Sequence, residues 1–451
     1  MKKKLECPSE LHKTNRRTFL KRTSAMVSFM VVPRHVLGGE GYTPPSDKLN
    51  IAGIGVGGQG AGDLNEMASE NIVALCDVDW ERAGGTFNRF PKAKRYRDFR
   101  EMLEKQKDIE AVMIATPDHM HAPAGAMAMR MGMHAYIEKP MAHTIYEARL
   151  LTKIAREKKV VTQMGNNGHA GEGLRLTYEF IHDGAIGDVY EVHSWSDRPI
   201  GWWPQEQGLV RPSDTPPVPE KLDWNLWLGP APERPYHPAY VPVKWRAWYD
   251  FGCGAMGDMA VHNVDPAFFC LGLGAPYAAE AETSGVEKET FPAWQIITYY
   301  FKDSKGREVK LKWYDGKKMP PKPEGFEPGR RLADNGIIFV GDKGSMICGG
   351  WSGPPRLIPE TRMKDYSRPD KTLARSIGHR QEWIQACKDK KPAAAMAGFE
   401  YSGPFTEALL VGNLAVRLGK RIEWDSQKMK ATNAPEADIL INKLYRKGWE
   451  L

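Results

Sequence analysis

Between residues 48 and 77 the chain runs strand, glycine turn, helix, strand and acid, an order that few folds accept. Lys48-Leu49-Asn50-Ile51-Ala52-Gly53-Ile54 reads as a buried strand. Gly55-Val56-Gly57-Gly58-Gln59-Gly60 then supplies G-x-G-x-x-G, and a helix-like stretch covers residues 61–69. A second apolar run, residues 72–76, closes on Asp77, 22 residues after Gly55. Glycines at these positions allow a tight turn and bring a pyrophosphate close to a helix N-terminus, whose free N–H groups suit an anion. An acid at the end of the second strand is placed to bond the two ribose hydroxyls of an adenosine. Asp77 would repel a 2′-phosphate, so NAD is expected rather than NADP, and Asp79 reinforces that preference.

The alternation continues. Residues 110–115 read as a strand ending on Thr116-Pro117-Asp118-His119-Met120-His121, and residues 122–131 as a helix. A further strand from His134 ends on Glu138-Lys139-Pro140, and residues 160–164 form another strand candidate. Repeated strand–helix units predict a parallel sheet covered on both faces, with ligands at the strand carboxyl ends. Lys139 sits at such an end. His119-x-His121 has no convergent cysteine or carboxylate partners in sequence, so no metal site is expected.

A second constellation lies far downstream. Gly252, Gly254 and Gly257 mark a tightly turning backbone, and Asp258 and His262 follow four residues apart ahead of an apolar run. In a helix these two would share a face, a carboxylate beside an imidazole suited to moving protons near neutral pH. The same pair could equally be a helix cap and a core histidine.

The pI of 8.9 invites a nucleic-acid partner, but the charge is unevenly spread. Residues 1–39 hold nine Lys/Arg and two Glu; the remainder holds 54 basic and 54 acidic residues, a net of zero. No phosphate-backbone partner is expected of the body. Asn15-Arg16-Arg17-Thr18-Phe19-Leu20-Lys21 resembles a bacterial twin-arginine export signal, and an uncharged, mostly apolar segment runs from Thr23 to Pro33. That segment is shorter than the ~20 residues of a membrane span, so residues 1–39 read as an export leader and the protein as periplasmic or otherwise exported. The rest divides into a dinucleotide-binding domain, 45–166, and a substrate and oligomerisation domain, 167–451. The six cysteines are scattered without a C-x-x-C pair, which predicts neither a zinc site nor a disulfide scaffold.

In the second half, residues 172–183 read as a helix and 188–195 as a strand. Seven of the 14 tryptophans fall between Trp195 and Trp248 together with many prolines, so residues 196–250 read as a long stiffened insertion and not a compact element. Aromatic faces near Asp and Arg suit sugars and polyols, and such rings can also pack a subunit interface. Residues 295–301 and 309–313, and then 336–340 and 345–348, read as strand pairs. Residues 380–388, 404–418 and 436–446 are expected as helices.

The glycine fingerprint, Thr116-Pro117 with His121, Glu138-Lys139-Pro140 and Gly257-Asp258-x-x-x-His262 with Asp265 occur in that order. This resembles the glucose–fructose oxidoreductase, inositol dehydrogenase and rhizopine-catabolism (Gfo/Idh/MocA) family, from about Lys48 to the C-terminus. The resemblance implies an α/β chain: a Rossmann dinucleotide-binding domain, then a C-terminal α/β domain with an open, largely antiparallel sheet that serves substrate and homo-oligomer contacts. It implies Lys139, Asp258 and His262 as catalytic, the histidine exchanging the substrate hydroxyl proton and the lysine polarising the oxygen. Cofactor contacts are expected from Gly55, Gly57, Gly58, Gln59, Gly60, Asp77, Thr116, Pro117, His121, Glu138 and Lys139. Trp202, Trp203, Trp245 and Arg246 are the expected substrate contacts. The chain departs from the family pattern at Gly252-Cys253-Gly254, which places Cys253 close to the expected substrate as a packing or specificity residue.

Three activities fit. The first is an exported oxidoreductase acting on a hydroxyl of a sugar, glycoside or polyol with a retained NAD. The second is an NAD-dependent glycosidase working through transient ring-carbon oxidation and elimination. The third is a non-catalytic, NAD-holding sugar binder, against which the Lys139 and His262 pair speaks.

Overall fold

The computed structural model describes residues 44–451, so the expected leader lies outside the described residues. Pro45–Asp47 form a 3-10 turn in an N-terminal unit that ends at Lys48, and the fold considered below starts at Leu49.

The first sheet has six parallel strands: β1 (Asn50–Ile54), β2 (Asn71–Cys76), β3 (Lys94–Tyr96), β4 (Ala111–Ile114), β5 (His134–Ile137) and β6 (Thr162–Met164). Their order is β3-β2-β1-β4-β5-β6, so the direction of winding reverses between β1 and β4. A ligand in such a sheet lies outside the carboxyl ends of the two strands flanking that reversal. Ala111-Val112-Met113-Ile114 is buried throughout, as a strand covered on both faces must be. The edge strand β3 has no strand signature in its sequence, because Lys94 and Arg95 are exposed and carry no apolar pattern. The covering helix Ile145–Lys158 starts with a complete capping box between Thr144 and Glu147 and stops at Lys159, which is left-handed at φ 53°.

The second sheet has nine strands: β7 (Val189–Ser196), β8 (Ala278–Thr283), β9 (Gln295–Lys302), β10 (Glu308–Tyr314), β11 (Asn335–Gly341), β12 (Gly344–Gly349), β13 (Pro355–Ile358), β14 (Ile422–Asp425) and β15 (Lys430–Ala431). They run β13-β12-β11-β7-β10-β9-β8-β14-β15, and only the β7–β10 pair is parallel. The open, largely antiparallel platform is therefore present.

Helix Phe399–Leu418 joins the two halves. Tyr299 of β9 donates to Leu409 O at 2.9 Å, and a Cβ on Gly412 would lie 2.0 Å from the Tyr299 hydroxyl. On another face, a Cβ on Gly403 would lie 2.1 Å from Thr152 Oγ1 of helix Ile145–Lys158, so glycine sets both close approaches. Helix His379–Asp389 returns to the first sheet, where Arg380 pairs with Asp63 and Glu66 and Trp383 is buried against Tyr136 at 5.7 Å.

Three sequence expectations change. The helix expected over 404–418 begins at Phe399 and carries Pro404 within it, because Ser402 and Gly403 before the proline are already buried against neighbours. The helix expected over 436–446 is confined to Asp438–Ile441. Beyond it, Lys443 Nζ reaches Glu147 at 2.7 Å and the Tyr445 hydroxyl reaches it at 3.0 Å, ties that draw the chain into an extended tail. The tryptophan-rich insertion is also compact. Trp224 stacks on Trp227 at 4.7 Å, Trp227 meets Phe251 at 4.9 Å, and Trp203, Trp245 and Trp248 join the same buried cluster. Apolar area, at ~25 cal/mol per Å2 removed from water, outweighs the stiffening effect of the prolines.

Candidate functional site

A cavity of about 520 Å3 opens at the carboxyl ends of the first sheet. The glycine turn forms one end. Gly55, at φ +76°, lies where a Cβ would stand 2.8 Å from the backbone of Ala115 and Thr116. A Cβ on Gly60 would stand 2.0 Å from Gly55 O, which rules out any side chain there. Gly55, Gly57 and Gln59 line the cavity, whereas Gly58 and Gly60 shape the turn from behind; Arg82 lies across Gly57 and Gly58.

Asp77 ties this turn to β2. Its Oδ2 accepts from Val56 N at 2.8 Å and Gly57 N at 3.1 Å, and its Oδ1 accepts from Asp79 N at 2.9 Å. Burial raises its pKa, opposed by those three N–H groups. Asp77 faces the cavity with acceptor capacity left for a ribose hydroxyl.

Thr116, Pro117 and Glu138 line the adjoining wall. Burial lifts the Glu138 carboxyl well above the usual carboxylate range, helped by Asp63 and opposed by Lys139. His121, expected among the cofactor contacts, instead sits behind the wall. Its ring nitrogens lie 2.7 Å from Pro140 O and 2.9 Å from Thr116 O, and burial lowers its pKa to about 4. It braces the two loops that carry Thr116 and Lys139. His119, likewise buried and lowered to about 3, lies 3.2 and 3.1 Å from the carbonyls of Phe251 and Trp227. Among the described residues, no group of three or more His, Cys, Asp or Glu gathers to hold a metal.

The other end of the cavity is assembled from distant segments. Lys139 follows β5, and its Nζ donates to Asp258 Oδ1 at 2.7 Å and Asp258 O at 3.0 Å. Arg246 Nε donates to the same Oδ1 at 3.2 Å, and Arg198 Nε lies 3.8 Å from Oδ2. Burial alone would raise the Asp258 pKa, but Lys139 and Arg246 outweigh it and the net direction is down. Asp258 is therefore a fixed anion that holds Lys139 in place.

Met256–Ala260 is a π-helical turn, followed by a short α turn at Val261–Asn263. The expected pairing of Asp258 with His262 does not form. The carboxylate is engaged by cations, and His262 Nδ1 is buried without a hydrogen-bond partner. Burial, reinforced by Lys139, lowers the His262 pKa to about 3 against the opposing pull of Asp258. The imidazole is neutral at pH 7 and able to accept a proton.

All four expected substrate contacts line the cavity. Trp202 is 57% exposed, with the Arg198 guanidinium 3.7 Å from its ring centre. Trp203 and Trp245 are buried, and Arg246 lies 4.2 Å from the Trp245 ring. Cys253, expected near the substrate, is buried outside the cavity lining with its thiol pKa raised by desolvation, which makes it a packing residue. Sequence reasoning missed Arg198, Trp351 and Trp449, which also line the cavity. No local motif marks any of them.

The residues present fit a dinucleotide. A glycine-rich turn borders the cavity, an acid stands at the end of β2, and Thr116 Oγ1 is buried on that wall with no partner of its own. Gly55, Gly57, Asp77 and Thr116 would hold NAD.

Fold and site together define a two-domain, NAD-binding oxidoreductase architecture. The chain belongs to the Gfo/Idh/MocA family: residues 48–166 match the model for the oxidoreductase family NAD-binding Rossmann fold, and residues 190–321 that for its C-terminal alpha/beta domain. A levoglucosan dehydrogenase from Pseudarthrobacter phenanthrenivorans is 26% identical over 199 residues, 44% of this chain and 42% of that protein. A glycosyl hydrolase family 109 protein from Porphyromonas gingivalis is 31% identical over 188 residues, 38% of this chain and 39% of that protein. The chain thus spans less than half the length of these curated relatives. The WlbA dehydrogenase from Bordetella pertussis, solved with NADH and UDP-GlcNAcA, superposes with a TM-score of 0.57 at 17% identity, over 84% of this chain and 99% of that one. That likeness shows the fold. Among the described residues no helix is long and apolar enough to cross a membrane.

Proposed function

We propose that the protein is an exported oxidoreductase that oxidises a hydroxyl of a sugar, glycoside or polyol, using a tightly held NAD. The observation that carries this reading is the convergence of Lys139, Asp258 and His262 on the cavity that the glycine turn and Asp77 also line. NAD, when bound, supplies the two-electron acceptor for the carbon that bears the hydroxyl. His262, a neutral imidazole on the cavity lining, accepts the hydroxyl proton. Lys139 donates to the oxygen as negative charge develops there, an electrostatic contribution worth ~3–4 kcal/mol for a positioned donor. Asp258 keeps the lysine aimed. Trp202, Trp203 and Trp245 offer ring faces to the sugar C–H surface, and Arg246 offers donors to its oxygens.

The twin-arginine pattern at Arg16 and Arg17 supports export of the folded protein with its cofactor inside. A retained cofactor must be restored in place, either by a second sugar or by reversal within one cycle. Likeness to glycosyl hydrolase family 109 proteins favours the second scheme as an alternative reading: transient oxidation at a ring carbon, elimination of the aglycone and hydrolysis as the net reaction. The open sheet is the proposed homo-oligomer surface. One experiment separates the schemes. Purified protein is incubated with a glycoside panel and the products are read by mass spectrometry. Keto-sugars support the oxidoreductase, free aglycone without net NAD reduction supports the glycosidase, and neither product rejects both.

A further inference from the structure

The substrate end of the cavity brings three cations together. Lys139, Arg198 and Arg246 all line it, and all three turn towards Asp258. Arg198 is only 8% exposed; its Nε lies 3.8 Å from Asp258 Oδ2 and its Nη1 reaches Asp197 at 3.1 Å. Both guanidiniums are set against tryptophan faces, Arg198 at 3.7 Å from the Trp202 ring centre and Arg246 at 4.2 Å from that of Trp245. A guanidinium held this way is pre-oriented, and its planar fork matches a carboxylate better than a lone hydroxyl.

Neutral hydroxyls need acceptors as well as donors. The Asp258 carboxylate is already occupied by Lys139 and Arg246, so the guanidinium ends are left to meet the ligand as donors. The ligand must bring the acceptors.

We propose that the substrate is an acidic sugar, a uronate whose carboxylate docks between Arg198 and Arg246 and leaves a ring hydroxyl facing His262. This rests on the sugar-hydroxyl reading above and names its substrate class. A monoanion fits better than a phosphate ester, because Asp118 and Asp258 line the same end and would repel a second negative charge.

The test is calorimetric titration of the NAD-saturated protein with matched pairs: glucuronate and glucose, galacturonate and galactose, mannuronate and mannose. The methyl ester of each uronate serves as a neutral near-isostere, and glucose 6-phosphate as the competing anion. At least one uronate should bind roughly 10- to 100-fold more tightly than both its aldose and its ester, the range of a charge-assisted hydrogen-bond pair. Arg198→Gln should remove most of that ratio and Arg198→Lys should retain part of it. Equal binding across every pair, no measurable binding of any uronate, a preference unaltered in a folded, NAD-retaining Arg198→Gln variant, or tighter binding of glucose 6-phosphate would each overturn the proposal. The parent's ester comparison stands even if the variants fail to fold. Keto-product from neutral sugars without a uronate preference would sink this inference and leave the oxidoreductase reading intact. A uronate preference without keto-product would do the reverse.

Discussion

The two ends of the cavity are built from different materials. At the nucleotide end the ligand-facing surface is mostly backbone: a glycine turn whose N–H groups are steadied by the Asp77 carboxylate. At the substrate end it is side chain, with Lys139, Arg198, Asp258, His262 and the tryptophans drawn from four separated stretches. Backbone surfaces are intolerant of added atoms, and their N–H groups favour an anion. Side-chain clusters tolerate volume changes but depend on every charge having its counterpart. The first end accordingly takes one ligand, and the second can be retuned for different substrates on the same scaffold.

The largest expected effect breaks the substrate end. His262→Ala or Lys139→Met should slow the chemical step by at least ~10²-fold, measured as single-turnover absorbance of the bound nicotinamide at saturating substrate. With its folded pKa near 3, His262 stays neutral through the range where free histidine titrates. The parent's kcat/KM profile should therefore lack an acid limb at the usual imidazole pKa of ~6.5. An unchanged rate in His262→Ala would move the base elsewhere.

Next comes the nucleotide end. Asp77→Ala removes three backbone contacts along with the acceptor for the ribose, so NAD affinity should fall roughly tenfold or more while discrimination against NADP relaxes. Unchanged affinity for both nucleotides, read by titration of stripped protein, would sink the assignment. NAD should also be released on acid denaturation of purified, dialysed parent protein; its absence would remove the basis for a retained cofactor.

A smaller effect falls on a residue that belongs to neither motif. Trp449 is buried on the cavity wall, 6.1 Å from Phe99 and with Arg100 4.2 Å from its ring centre. The tail carrying it is pinned by Lys443 and Tyr445 to Glu147. Trp449→Ala should speed NAD release by roughly 2- to 10-fold, the scale of one aromatic contact, in a stopped-flow displacement measurement. An unaltered off-rate would show that the tail only packs.

The smallest separates the tryptophans from one another. Trp202→Ala should weaken sugar binding a few-fold with no change in melting temperature, since that ring is more than half exposed. Trp203→Ala and Trp245→Ala should also cost ~3–5 kcal/mol of stability, because both rings are buried. Equal melting temperatures across the three would overturn this division.

What could be read in the chain follows the distance over which each feature is decided. The strand–glycine–helix–strand–acid run is local, so the amino-acid order by itself determined strands β1 and β2, the glycine turn and the position of Asp77, each residue answering to neighbours within one βαβ unit. Glu138-Lys139-Pro140 and Asp258-x-x-x-His262 were legible as motifs, but not the partnership between them. Asp258 turned from the nearby His262 to Arg246 and to the distant Lys139, because burial makes an uncompensated carboxylate costlier than a long chain closure. Arg198, Trp351 and Trp449 entered the cavity for a related reason: each is an ordinary residue in an unremarkable stretch until the second sheet and the tail are folded back. Tertiary structure alone also decided that the tryptophan-rich insertion is core and that the last helix ends at Ile441, since packing against Phe251 and pairing with Glu147 are not written in any local pattern.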